Sequence, residues 1–97
     1  MIRIRLSSAA SEDVREAQAW YAGQATGLDL EFRRELDRVL ERIRTYPAGF
    51  PQIHRSIRRA NLRRFPYGVF YVRRDDHLFV LAVAHHARSP SHWKRRL

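Results

Sequence analysis

His85, His86, Arg63 and Arg88 are the residues whose chemistry stands out. An imidazole titrates near neutrality and can serve as acid or base, and two guanidiniums can hold a phosphate while negative charge builds on it. Together they are the minimum for opening a ribose phosphodiester by attack of its own 2′-hydroxyl. His85 has a second reading, as a packed, hydrogen-bonded residue at the end of an apolar strand, on one face with Phe79, Leu81 and Val83. His54, His77 and His92 are scattered without metal-ligand spacing and read as surface groups. No metal and no cofactor are expected. With no cysteine, neither a disulfide nor a thiolate site is available, which fits a reducing cytosol.

Charge is the second source of chemistry. The formal net charge is +9, and residues 1–41 hold eight carboxylates against six arginines, while residues 42–97 hold thirteen basic groups against Asp75 and Asp76. No carboxylate occurs between Glu41 and Asp75. The excess of 18 Arg over one Lys could reflect genome composition, but composition does not remove the acids from one half of a chain. Arg58, Arg59, Arg63 and Arg64, with the tail from Arg88 through Arg96, therefore form an expected basic surface for phosphate or an acidic protein. Arginine suits both, because its planar fork gives two parallel hydrogen bonds to a carboxylate or a phosphate.

These side chains need elements to hold them. Ile2, Ile4 and Leu6 alternate with Arg3 and Arg5, the period of a strand with one wet face. Ser7-Ser8 offers an N-cap for a first helix whose stripe is Ala10, Val14, Ala17 and Tyr21, with Glu12 and Asp13 near its positive end. That helix should end between Gly23 and Gly27. A second stripe, Phe32, Leu36, Val39, Leu40 and Ile43, predicts a helix stopping at Tyr46-Pro47, with Asp29–Arg33 as a supporting pair and Glu31–Glu35 as an opposing one. A short connection makes the two an antiparallel hairpin.

After a Pro/Gly-rich connector, residues 57–64 read as a polar strand with Ala60 and Leu62 on one side and Arg59, Asn61 and Arg63 on the other. Residues 65–68 are a turn candidate, 69–73 a third strand, Asp75-Asp76 a tight connection, and 78–85 a fourth, apolar on both faces and so central. Ser89 as cap and Pro90 at the first helical position predict a short terminal helix through Trp93. The expected class is α+β: one domain over residues 1–97, a small antiparallel-rich sheet with the N-terminal helical hairpin on one face, in the order β-α-α-β-β-β with a short C-terminal helix. The longest apolar run, residues 78–84, falls far short of the roughly 20 needed to span a bilayer, so no membrane partner and a cytoplasmic location are expected.

Taken together, Ser8 with Ala10 at the helix start, Pro47-x-Gly49, Phe65-Pro66-Tyr67-Gly68-x-Phe70-Tyr71, and Val83-x-His85-x-x-Arg88-x-Pro90 followed by Trp93 resemble the RelE/ParE superfamily of bacterial toxins. Ser89 stands where members usually carry Asp. The resemblance implies the toxin of a type II toxin–antitoxin pair, with a cognate antitoxin as partner and either DNA gyrase or the ribosome with its mRNA as target. RelE-like members cleave mRNA using lysines and arginines on middle strands plus a late tyrosine, or a strand glutamate, an arginine and a late histidine. This chain has no lysine before Lys94, no glutamate after Glu41 and no tyrosine after Tyr71. Neither set is complete, which leaves enzymatic activity open and points to the ParE-like branch, which acts on gyrase by contact. A ribonuclease assembled from His85, Arg63 and Arg88 is the alternative, and a non-toxic basic nucleic-acid-binding member is another. On any of these, Arg58, Arg59, Arg63, Arg64, Arg88, Arg95 and Trp93 are candidate contacts for target or antitoxin, although Trp93 reads first as a core anchor pinning the last helix and as an interface residue in the alternative. Trp20 and Tyr21 cannot face one core together, and Trp20 is the expected exposed anchor for an antitoxin segment that orders on docking.

Overall fold

In the computed structural model, which describes residues 2–97, one five-stranded sheet carries a helical hairpin on one face and a short terminal helix on the other. The strands are β1 (Arg3–Leu6), β2 (Gln52–His54), β3 (Ile57–Asn61), β4 (Tyr67–Arg73) and β5 (His77–His85), in the spatial order β1-β5-β4-β3-β2. β1 runs parallel to β5, and every other pairing is antiparallel. The helices are α1 (Ser8–Gln24), α2 (Leu28–Thr45) and α3 (Ser91–Lys94). This is the expected α+β order with one strand added. No helix among the described residues is long and apolar enough to cross a membrane.

The hairpin forms as its stripes require. Ser7 caps α1, its hydroxyl oxygen accepting from the Ala10 amide at 3.0 Å. Gly27, at φ 82, turns the chain into α2 through the left-handed region that other residues avoid. Proline at position 47 ends α2 one residue after the cap Tyr46. Glu12 and Asp13 fall beyond the first turn of α1, too far along to serve its dipole. The Asp29–Arg33 pair does not form, because Arg33 reaches forward to Asp37 at 3.1 Å. Glu31 and Glu35 are drawn apart instead: Glu31 accepts from Arg64 at 2.6 Å, and buried Glu35 accepts from the Arg63 amide at 3.2 Å and from Arg38 at 3.0 Å.

Both faces of the sheet are packed. Against the hairpin lie Ala60, Val69, Tyr71, Leu78, Val80 and Val83, and near the end of the hairpin Tyr21, Phe32, Phe65 and Tyr67 meet edge to face or stacked at 4.9–6.1 Å. On the opposite face Ile57, Phe70, Val72, Leu81, Ala82 and Ala84 gather under Trp93, which stacks on Phe70 at 4.8 Å. Trp93 is 8 % exposed and pins α3 to the sheet.

Three boundaries differ from expectation. β2 is a three-residue strand inside the connector, joined to β3 by Arg55 and Ser56, with Arg55 at φ 52. β3 ends at Asn61, and β4 begins at Tyr67, inside the expected turn. Serine 89 does not cap α3 as a first-turn neighbour of Pro90 would require, since Pro90 is itself the cap residue and the helix starts at Ser91. The Ser89 hydroxyl oxygen still accepts from the Ser91 amide at 3.3 Å.

Candidate functional site

A β-bulge decides what the end of β5 presents. Pairing with β4 runs Phe70↔Ala82 and then Tyr71↔Val80, so Leu81 is an extra residue and the side chains beyond it change faces. Leu81 packs under Trp93, whereas Val83 packs under the hairpin, and His85, opposite Tyr67, follows Val83. The expected grouping of His85 and Val83 with Phe79 and Leu81 is therefore wrong, and the bulge is the reason. His85 turns toward α1, its ring 5.2 Å from that of Tyr67.

β1 ends opposite Val80, which leaves the rest of that β5 edge without a strand. Side chains finish the ladder. The Leu81 carbonyl accepts from Arg96 Nη1 at 3.0 Å and from the Ser7 hydroxyl at 3.4 Å, and the Val83 amide donates to Asp13 Oδ2 at 3.0 Å. Asp13 also receives Arg96 in a two-pronged pair, at 2.6 Å and 3.2 Å, and has His92 Nε2 3.4 Å away. This buried carboxylate is held as such a charge must be, by a cation and an amide together. Burial, reinforced by Arg96 and Arg88, pushes the His92 imidazole below its ordinary pKa, so the neutral ring is favoured there.

Beside this pair, Trp20, Tyr67, His85, Arg88 and Glu16 line an open cleft between α1 and the end of β5. Trp20 is 59 % exposed while Tyr21 is 7 % exposed, as adjacent positions on one helix require. Burial raises the Tyr67 phenol, Arg88 pulls it down and the Asp13 and Glu16 carboxylates push it up again, so it is a neutral donor at pH 7. His85 Nδ1 accepts from the Ala87 amide at 2.9 Å, and Arg88 lies beside His92 at 3.3 Å. His86 is exposed. Arg63 lines a different recess, with Glu35, Arg38 and Arg42 of α2. His85 and Arg88 thus share a cleft that Arg63 does not enter.

The arginines expected on one surface are distributed over several. Arg58 points to the hairpin side, where it braces the connector by donating to the Phe50 carbonyl at 2.5 Å and to Ala48 at 3.4 Å. Arg59 points to the other face and lies over Gly68, where an added Cβ would come within 3.2 Å of its Cγ. Its Nε is buried without a hydrogen-bond partner. Arg64 is paired with Glu31, and Arg63, Arg88 and Arg95 are exposed. Arg96, counted with the basic tail, is in the Asp13 pair. Asp13 and Glu35 were missed as structural acids. The available signal was their position, since each lies on its helix's buried stripe, Asp13 beside Val14 and Glu35 beside Leu36. Among the described residues no group of His, Cys, Asp and Glu is arranged to hold a metal.

Comparison with known proteins bears on this architecture directly. The family model for the ParE toxin of type II toxin–antitoxin systems, parDE, matches residues 4–90. Toxin ParE2 of Mycobacterium tuberculosis, in strains CDC 1551 / Oshkosh and ATCC 25618 / H37Rv, is 31% identical over 90 residues, covering 92% of this chain and 86% of the relative. A solved structure, described as the chromosomal ParDE TA system from P. aeruginosa, shares the fold with a TM-score of 0.75 at 16% identity, over 88% of this chain and 96% of that one. The bulged β5, the hairpin above it and the terminal helix beneath are thus features of a chain that belongs to the ParE toxin family of type II toxin–antitoxin systems.

Proposed function

We propose that the chain is a toxin that inhibits DNA gyrase by binding it, without hydrolysing nucleic acid, in the bacterial cytoplasm, and that a cognate antitoxin neutralises it by covering its contacts. The observation that carries this reading is the separation of the ribonuclease-like set His85, Arg63 and Arg88. Arg63 lines a recess beside α2, away from the cleft of His85 and Arg88, and His85 Nδ1 is already taken by the Ala87 amide. General acid–base cleavage needs its acid, base and phosphate-holding cations around one reacting phosphate. Binding has no such requirement, and the exposed arginines can serve it from separate places. The antitoxin is expected to order over the hairpin and the cleft, with Trp20 as an anchor.

The test is inducible expression of the chain without its partner, following growth, plasmid supercoiling and the 5′ ends of mRNA. Growth arrest with lost supercoiling and intact message is the expected result. Arrest with codon-positioned cuts would overturn it in favour of a ribosome-dependent ribonuclease, and make His85, Arg63 and Arg88 the first residues to replace. No arrest, with salt-sensitive DNA binding, would overturn it in favour of a non-toxic binding module.

A further inference from the structure

The β4–β5 ladder has two ends. Tyr67 and His85 lie at one, beside the cleft already described, and Arg73 lies at the other, opposite Leu78. At that far end a recess of about 270 Å³ opens between the connector and the sheet, with Gln52, Ser56, Arg58, Tyr71 and Arg73 on its walls. No carboxylate lines it, and neither Arg58 nor Arg73 has a carboxylate partner among the described residues. Two guanidiniums therefore share one concave site with no carboxylate partner among the described residues.

Their geometry is prepared for a ligand. Arg58 is fixed by two carbonyls that both engage Nη1, so Nε and Nη2 keep their donors. The Tyr71 hydroxyl is spent on the Pro47 carbonyl at 2.7 Å and stays protonated, burial having pushed it up to about 12, so no phenolate competes for the cations. Ser56 and Gln52 add neutral donors at the rim, on exposed residues of the β2–β3 hairpin. A tetrahedral oxyanion suits this set, which offers two guanidiniums with a hydroxyl and an amide on the same walls.

We propose that this recess is a phosphate-binding site, occupied either by a free phosphate or phosphate monoester or by one phosphodiester of a nucleic acid strand. It is separate from the Trp20 cleft and stands whichever target the toxin takes. The ¹⁵N-labelled full chain is titrated at constant ionic strength with inorganic phosphate and, separately, with a short DNA duplex lacking terminal phosphates. Saturable shifts of the Arg58 and Arg73 Nε–H resonances and of the Ser56 amide are expected. Arg73→Gln, at an exposed position, should weaken binding about tenfold, and Arg15→Gln, on α1, should not. Saturation by phosphate alone assigns the free ion or monoester. Saturation by the duplex, with phosphate competing, assigns the backbone phosphodiester. Shifts that rise linearly, spread over exposed arginines generally, or survive Arg73→Gln would overturn the site.

Discussion

Asp13 and Arg96 are 83 residues apart in sequence and form an ion pair around a buried carboxylate. Removing one partner strands the other with little solvent, and Arg96→Ala is expected to cost about 3 kcal/mol in urea unfolding. The double variant with Asp13→Ala should cost much less than the sum of the singles, because the penalty is mostly that of the orphaned charge. Tyr71 gives a pH signature. Its folded-state pKa is raised to about 12 from 10.0, so the unfolded chain releases its proton first as pH rises. The contribution of Tyr71 to stability should therefore be constant below about pH 10 and be lost between there and pH 12, by on the order of 2 kcal/mol. Burial raises Tyr21 and Tyr67 in the same direction, yet Tyr71→Phe should remove the steepest part of the alkaline loss. At neutral pH that variant should lose only about 1 kcal/mol, for the bond to Pro47. Such residues divide by whether sequence could reveal them. Neighbouring positions on a helix diverge by a fixed angle, so an exposed Trp20 beside a buried Tyr21 was legible. The partner of Asp13 was not, because nothing local connects position 13 to position 96.

Among the elements, the helices were legible and the details of the sheet were not. The serine cap and the proline stop placed the start of α1 and the end of α2 to within a residue, and α1 ends at Gln24, inside the expected window from Gly23 to Gly27. β2 is too short, at three residues, for its alternation to be recognised within a Pro/Gly-rich connector. The bulge at Leu81 was invisible for another reason: residues 78–84 are all apolar, so a reversal of facing leaves no mark in the pattern. That reversal decides the site, since it carries His85 from the α3 side to the cleft. The terminal helix is only four residues long, and its place depends on Trp93. Trp93→Ala should cost about 3 kcal/mol and release α3. Hydrogen exchange would then show early loss of protection at residues 91–96, with the α1–α2 hairpin still protected.

For the whole molecule, the separation of charge in the sequence survives folding only in part. The acidic hairpin and basic strands lie against each other, and Glu31–Arg64 and Glu35 with the Arg63 amide are where the two halves meet. Among the arginines without a carboxylate partner, Arg88 lies at one end of the β4–β5 ladder and Arg73 at the other. If Trp20 anchors the antitoxin at the first of these, Trp20→Ala should weaken the complex about tenfold or more by calorimetry, while far-UV dichroism and melting temperature stay the same. Unchanged affinity would remove Trp20 from the interface. The parallel pairing of β1 with β5 has a further effect, on the chain as it is made. β1 leaves the ribosome well before its partner strand, which is synthesised only after α1, α2 and three other strands. The hairpin can form early from local contacts, yet the sheet cannot acquire its first edge until residues 77–80 emerge. The cleft and the recess at the two ends of β5 are therefore completed only late in translation, after the hairpin that roofs the sheet.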